Sequence, residues 1–139
     1  MPFKRLAPAC AVLLTLCVLA TGCQCTQNVT FEVIAQDVSG QPISSVTVQG
    51  ECHDVDGTTR RGATLIKSEV TEVRMVAPSR SCPDNAGSMS SYFTDCSLSV
   101  IAVGFVDQAL TLTGEDIDRL DQPDQSGHHV PVHFTMVRP

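Results

Sequence analysis

Aromatic side chains are scarce in this sequence, which has no tryptophan, one tyrosine and five phenylalanines in 139 residues. Stacking platforms for bases or sugar rings would have to be built from Tyr92, Phe31, Phe93, Phe105 and Phe134, so recognition by stacked rings has little material. Basic residues are few as well, nine against fifteen acidic ones, for a formal charge of −6. That sign opposes docking on nucleic acid phosphates or on an anionic membrane surface. Long apolar runs are also lacking. The longest predominantly apolar stretch, residues 6–19, has 14 positions, short of the roughly 20 that a helix needs to cross a bilayer.

What is there begins at the N-terminus. Lys4 and Arg5 precede the apolar stretch, and Ala20, Thr21 and Gly22 supply small residues before Cys23, the layout of an export signal. The string Leu19-Ala20-Thr21-Gly22-Cys23 resembles the lipobox of bacterial lipoprotein precursors, which implies cleavage before Cys23 and lipidation, palmitate included, of its thiol. A plain secretory signal cut at the same bond is the alternative. Cysteine parity separates the two. Of seven cysteines, Cys10 and Cys17 leave with residues 1–22, and the mature chain keeps Cys23, Cys25, Cys52, Cys82 and Cys96. An odd number in an exported protein leaves one thiol to explain, and lipidating Cys23 leaves four for two disulfides. Gln24 follows Cys23 where retention at an inner membrane is associated with Asp, so the resemblance implies an outer-membrane anchor in a two-membraned cell.

The mature part, 117 residues, suits one domain. With Lys4 and Arg5 set aside it carries seven basic and fifteen acidic residues, a formal charge of −8. The expected organisation is a signal peptide over 1–22, a lipidated Cys23 and short tether over 23–28, and a β-sandwich over 29–139. Val, Thr and Ile recur in short runs broken by Gly, Pro, Ser and Asp, which predicts an all-β, immunoglobulin- or transthyretin-like sandwich of about seven strands. Val29, Phe31, Val33 and Ala35 alternate with polar neighbours as a first strand, and Ser39-Gly40-Gln41-Pro42 is a turn leading to a second over 43–49. Further strands are predicted within 63–76, over 98–105 with both faces apolar, over 109–113, and over 130–136. Residues 79–95 read as a long loop. In the acidic segment 114–127, Ile117 and Leu120 are three apart, predicting a short helical turn near 115–120.

If the first two strands form an antiparallel hairpin around 39–42, Cys52 falls close to Cys25. That register pairs Cys25 with Cys52 and leaves Cys82 with Cys96, although four cysteines allow three connectivities.

The stretch Val33-Ile34-Ala35-Gln36-Asp37-Val38-Ser39-Gly40-Gln41-Pro42-Ile43-Ser44-Ser45-Val46-Thr47-Val48 resembles the opening hairpin of carboxypeptidase-regulatory-like domains, which are transthyretin-like sandwiches. Leu98-Ser99-Val100-Ile101-Ala102-Val103-Gly104-Phe105 and Val130-Pro131-Val132-His133-Phe134-Thr135-Met136 are similar to a later and a closing strand of that family. The resemblance implies a module for folding or interaction and not an enzyme.

Catalytic patterns are thin. His128-His129-Val130-Pro131-Val132 resembles the His-Val-Pro segment of 5-hydroxyisourate hydrolases, but the first strand lacks the histidine and the C-terminus lacks the Tyr-Arg-Gly-Ser tail that this resemblance requires. His53, His128, His129 and His133 are the candidate metal ligands. His129 and His133 on one strand would lie about 13 Å apart by rise alone, so solvated histidines are the simpler reading. Asp116, Asp118, Asp121 and Asp124 lack the spacing of a calcium loop. No serine sits in Gly-x-Ser-x-Gly, and no cofactor pattern is present. The expectation is a non-enzymatic, lipid-anchored cell-envelope protein, a binding or structural accessory with an envelope protein as partner. A small hydrolase or metal-dependent enzyme is the alternative.

Overall fold

The computed structural model describes residues 24–25, 28–76, 80–81 and 88–139. The expected signal segment, Cys23 and Cys82 lie outside them. Ten strands and one α-helix are assigned among the described residues. Strands β2 (Asn28–Asp37), β5 (Ala63–Lys67), β6 (Val70–Val76) and β10 (His128–Met136) form one sheet in the order β10-β2-β6-β5. Strands β3 (Val46–Asp54), β4 (Thr59–Arg61), β8 (Phe93–Ala102) and β9 (Gln108–Thr113) form the other, in the order β4-β3-β8-β9. The predicted all-β sandwich is what the chain forms. A small separate pair joins β1 (Gln24–Cys25) to β7 (Arg80–Ser81), with Gln24 opposite Ser81.

Period-two alternation decides what each sheet buries. On β2, Val29, Phe31, Val33 and Ala35 point into the sandwich, while on β10 Val130, Val132, Phe134 and Met136 do the same. From the other sheet Val48, Leu98 and Val100 meet them. Full burial of one such side chain is worth roughly 1.5–3 kcal/mol, so this interleaved core dominates stability. Gly50 and Gly62 sit against Val73. A Cβ on either would come within 2.6 or 2.4 Å of its Cγ1, so only glycine allows the strands to pass this closely.

The expected β2–β3 hairpin does not form. Beyond the isolated bridge Gln36–Pro42, β2 pairs with β10 in parallel and with β6 antiparallel, while β3 pairs with β4 and β8. The 38–45 connection arches from one sheet to the other, because both strands have an apolar face that is buried by facing each other across the core. The disulfide pairing built on that hairpin falls with it. Cys52 is bonded to Cys96, its direct partner in the β3–β8 register, so neither Cys25–Cys52 nor Cys82–Cys96 exists.

Two other expectations change. Strand β8 is central in its sheet, yet Ile101 is exposed and Val103 beyond it is fully so, because the outer face is open to solvent. The 79–95 segment is not one loop. It holds β7, a 3-10 turn at Met89–Ser91 and the first residues of β8.

Helix α1 (Gly114–Leu120) stands where the helical turn was predicted. Thr113 and Asp116 cap its start reciprocally, Thr113 Oγ1 accepting from the Asp116 N–H at 3.1 Å and Asp116 Oδ2 from the Thr113 N–H at 3.0 Å. Ile117 is fully buried and docks the helix on the sandwich. Asp118 ties it to the 3-10 turn through Met89 N at 2.6 Å, Ser88 Oγ at 3.0 Å and Ser90 N at 3.2 Å. Among the described residues no helix is long and apolar enough to cross a membrane.

Candidate functional site

The described chain gathers polar chemistry where α1 ends and β10 begins. Parallel pairing sets His128 opposite Val29 and His129 opposite Thr30, so consecutive histidines fall on opposite faces of the sheet. His128 points inward and is buried. Its Nδ1 lies 2.5 Å from Oδ2 of Asp121, equally buried, whose other oxygen accepts the His129 N–H at 3.2 Å.

His129 faces outward. Its Nδ1 is 2.9 Å from Glu32 Oε1 on β2, and its Nε2 is 2.8 Å from Ser126 Oγ and 3.1 Å from Asp124 Oδ1. Asp124 also accepts from Ser126, at 2.7 Å from the backbone N–H and 2.6 Å from the hydroxyl. The Ser126 hydroxyl and then its N–H, with a lesser contribution from the nearby imidazole, hold the Asp124 carboxyl below the usual carboxylate range against the opposing effect of burial. Gly127 makes this approach possible. Its φ is +127°, and a Cβ there would lie 2.6 Å from the Asn28 carbonyl, so a side chain would push the turn off β2.

Ser126 and His129 open into a cavity of about 420 Å³ that is also lined by Asn28, Thr30, Arg74 and Val76. In its wall, Glu72 is nearly buried between Lys67 Nζ at 2.6 Å and Arg74 Nη2 at 2.8 Å. The Lys67 hydrogen bond, with help from Arg74, keeps its carboxyl below the ordinary range despite burial.

The four sequence-predicted histidines do not converge. His53 lies on the outer face of the opposite sheet, its Nδ1 2.7 Å from Asp95 Oδ1, and that hydrogen bond raises its pKa above 6.5. His133 is exposed on β10, two outward positions beyond His129. Among the described residues no group of three or more His, Cys, Asp or Glu is placed to hold a metal ion. The four aspartates of 116–124 are divided among a helix cap, the α1–turn tie and the two histidines. Sequence reading missed Ser126 and Glu32. Glu32 is 97 residues from His129, and Ser126 sits in a turn with no motif around it.

The class of protein defined so far is a two-sheet β-sandwich with a polar cluster at one end. No family model matches the chain, and no curated protein does. Among solved structures it is similar to 3-chlorocatechol 1,2-dioxygenase from Rhodococcus opacus 1CP, with TM-score 0.52 and 13% identity over 84% of this chain and 62% of that one. It is also similar to chlorocatechol 1,2-dioxygenase from Pseudomonas putida, with TM-score 0.48 and 11% identity over 81% and 60%. The chain therefore spans less than two thirds of either enzyme. The first likeness supports the sandwich fold and carries no chemistry across.

Proposed function

We propose that this protein is a lipid-anchored, outer-membrane component of a bacterial cell envelope, whose sandwich serves as a binding or structural accessory for an envelope protein. The observation that carries this reading is Cys23, placed behind small residues and one position before Gln24, where the first strand pair begins. Lipid chains on Cys23 would hold the domain close to the membrane, since residues 24–28 reach at most about 18 Å. Two or more acyl chains anchor stably where one myristoyl-length chain does not. Similarity to carboxypeptidase-regulatory-like domains at residues 33–48, 98–105 and 130–136 supports the accessory role. Fractionation of cells expressing wild type and Cys23→Ser tests the reading: wild type belongs in the outer-membrane fraction and the variant in the soluble export fraction. A wild-type protein released by salt or osmotic shock alone would refute the anchor.

A further inference from the structure

The cluster at the start of β10 supports a chemistry that the accessory reading does not include. Glu32, Asp124, Ser126 and His129 are placed by two independent constraints: strand register for Glu32 and His129, and the Asp124–Gly127 turn for the other two. Their atoms nevertheless fall in the order carboxylate, imidazole, hydroxyl, with Glu32 Oε1 2.9 Å from Nδ1 and Nε2 2.8 Å from Oγ. An ionised carboxylate only accepts, so the Glu32 contact fixes a proton on Nδ1, while Nε2 faces both the Ser126 hydroxyl at 2.8 Å and Asp124 Oδ1 at 3.1 Å. This is the geometry of an activated serine: nucleophile, base within hydrogen-bond reach, and a third group that orients the base. Ser126 also lines the cavity of about 420 Å³, whose other polar lining residues are Asn28, Thr30, Lys67, Glu72 and Arg74, with Val76 offering an apolar wall.

We propose that Ser126, His129 and Glu32 form an acyl-transfer site for small carboxylic esters. Ser126 Oγ bonds to the ester carbonyl carbon as its proton passes to His129 Nε2. The tetrahedral adduct collapses, the carbon–alkoxide bond breaks, and His129 returns the proton to the departing alcohol. Water, deprotonated by His129, then cleaves the acyl–serine ester to give the carboxylic acid and restore Ser126. Glu32 is a positioning residue. Asp124 acts as a brake, because its Oδ1, 2.6 Å from Ser126 Oγ and 3.1 Å from His129 Nε2, competes with Nε2 for the hydroxyl proton and favours a proton on Nε2 itself.

The test is a fluorophosphonate probe applied to the full mature protein in detergent, read by intact mass and peptide mapping. One adduct on Ser126 is expected, absent in Ser126→Ala and formed at least 100-fold more slowly in His129→Ala. Glu32→Gln slows it about 10-fold while Glu32→Asp restores most of the rate, a rescue that loss of a mere packing contact would not show. Asp124→Asn reacts several-fold faster. No adduct under conditions that label a control serine hydrolase, an unchanged rate in His129→Ala, or a slower rate in Asp124→Asn each overturns the proposal, the last by making Asp124 the base. None of these outcomes depends on Cys23, so the site and the anchor fail or stand separately.

Discussion

Cys52 on β3 lies directly opposite Cys96 on β8, and a disulfide joins them inside the core, where both are fully buried. Their separation of 44 residues makes the bridge worth about 4 kcal/mol in the chain-entropy model. Mapping of an unreduced digest is expected to link Cys52 with Cys96. By parity, with Cys23 lipidated, the same digest should link Cys25 with Cys82. A Cys23–Cys82 bridge would contradict the lipidation reading, and Cys52→Ala/Cys96→Ala should lower stability by roughly 2–4 kcal/mol in denaturant unfolding.

His53 and Asp95 form a half-buried pair whose charge depends on pH. The Asp95 hydrogen bond favours the protonated imidazole and outweighs the opposing effect of burial, with further attraction from Asp95 and Glu51. A raised folded-state pKa means the pair's contribution is fully present below the unfolded value and is lost as pH rises through the folded one. Proton NMR of the imidazole should show His53 titrating above 6.5 in wild type and falling toward that value in Asp95→Asn. Coincident titration curves would remove the pair from the account.

Asp118 should behave in the opposite sense. Burial works to raise its pKa, but hydrogen bonds from Ser90, Met89 and Ser88 outweigh it and hold the carboxyl low. Its contribution is therefore present above the unfolded value and lost as pH falls through the folded one. Asp118→Asn is expected to cost about 2 kcal/mol at neutral pH, since hydrogen bonds to a charged group are worth roughly 1.5–3 kcal/mol. The gap between the wild-type and variant unfolding curves should close as the solution is acidified below the carboxylate range. A pH-independent gap would point to packing and not to charge.

Alternating valines made β2 and β10 legible, and Ile117 with Leu120 marked α1, because burial on one face writes a period into the sequence. That period says which side chains point inward and is silent on which strand lies alongside. The Ser39–Pro42 turn suits a hairpin and an inter-sheet arch equally well, so the pairing of β2 and β3, and with it the disulfide guess, went wrong. The site shows the same gap. His129 stands out in the sequence, but Glu32 reaches it only through parallel β2–β10 pairing, which no local pattern announces. Asp124 and Ser126 look like ordinary turn residues and do serve as such; their second contact, to His129, exists only once the turn is seated on β2.

The proposed lipid anchor on Cys23 is tested most directly by metabolic labelling with an alkyne palmitate analogue. Label is expected on the wild-type protein, recovered on an N-terminal peptide beginning at Cys23, and none on Cys23→Ala. An unlabelled wild-type chain starting at Cys23 with a free or disulfide-bonded thiol would contradict it.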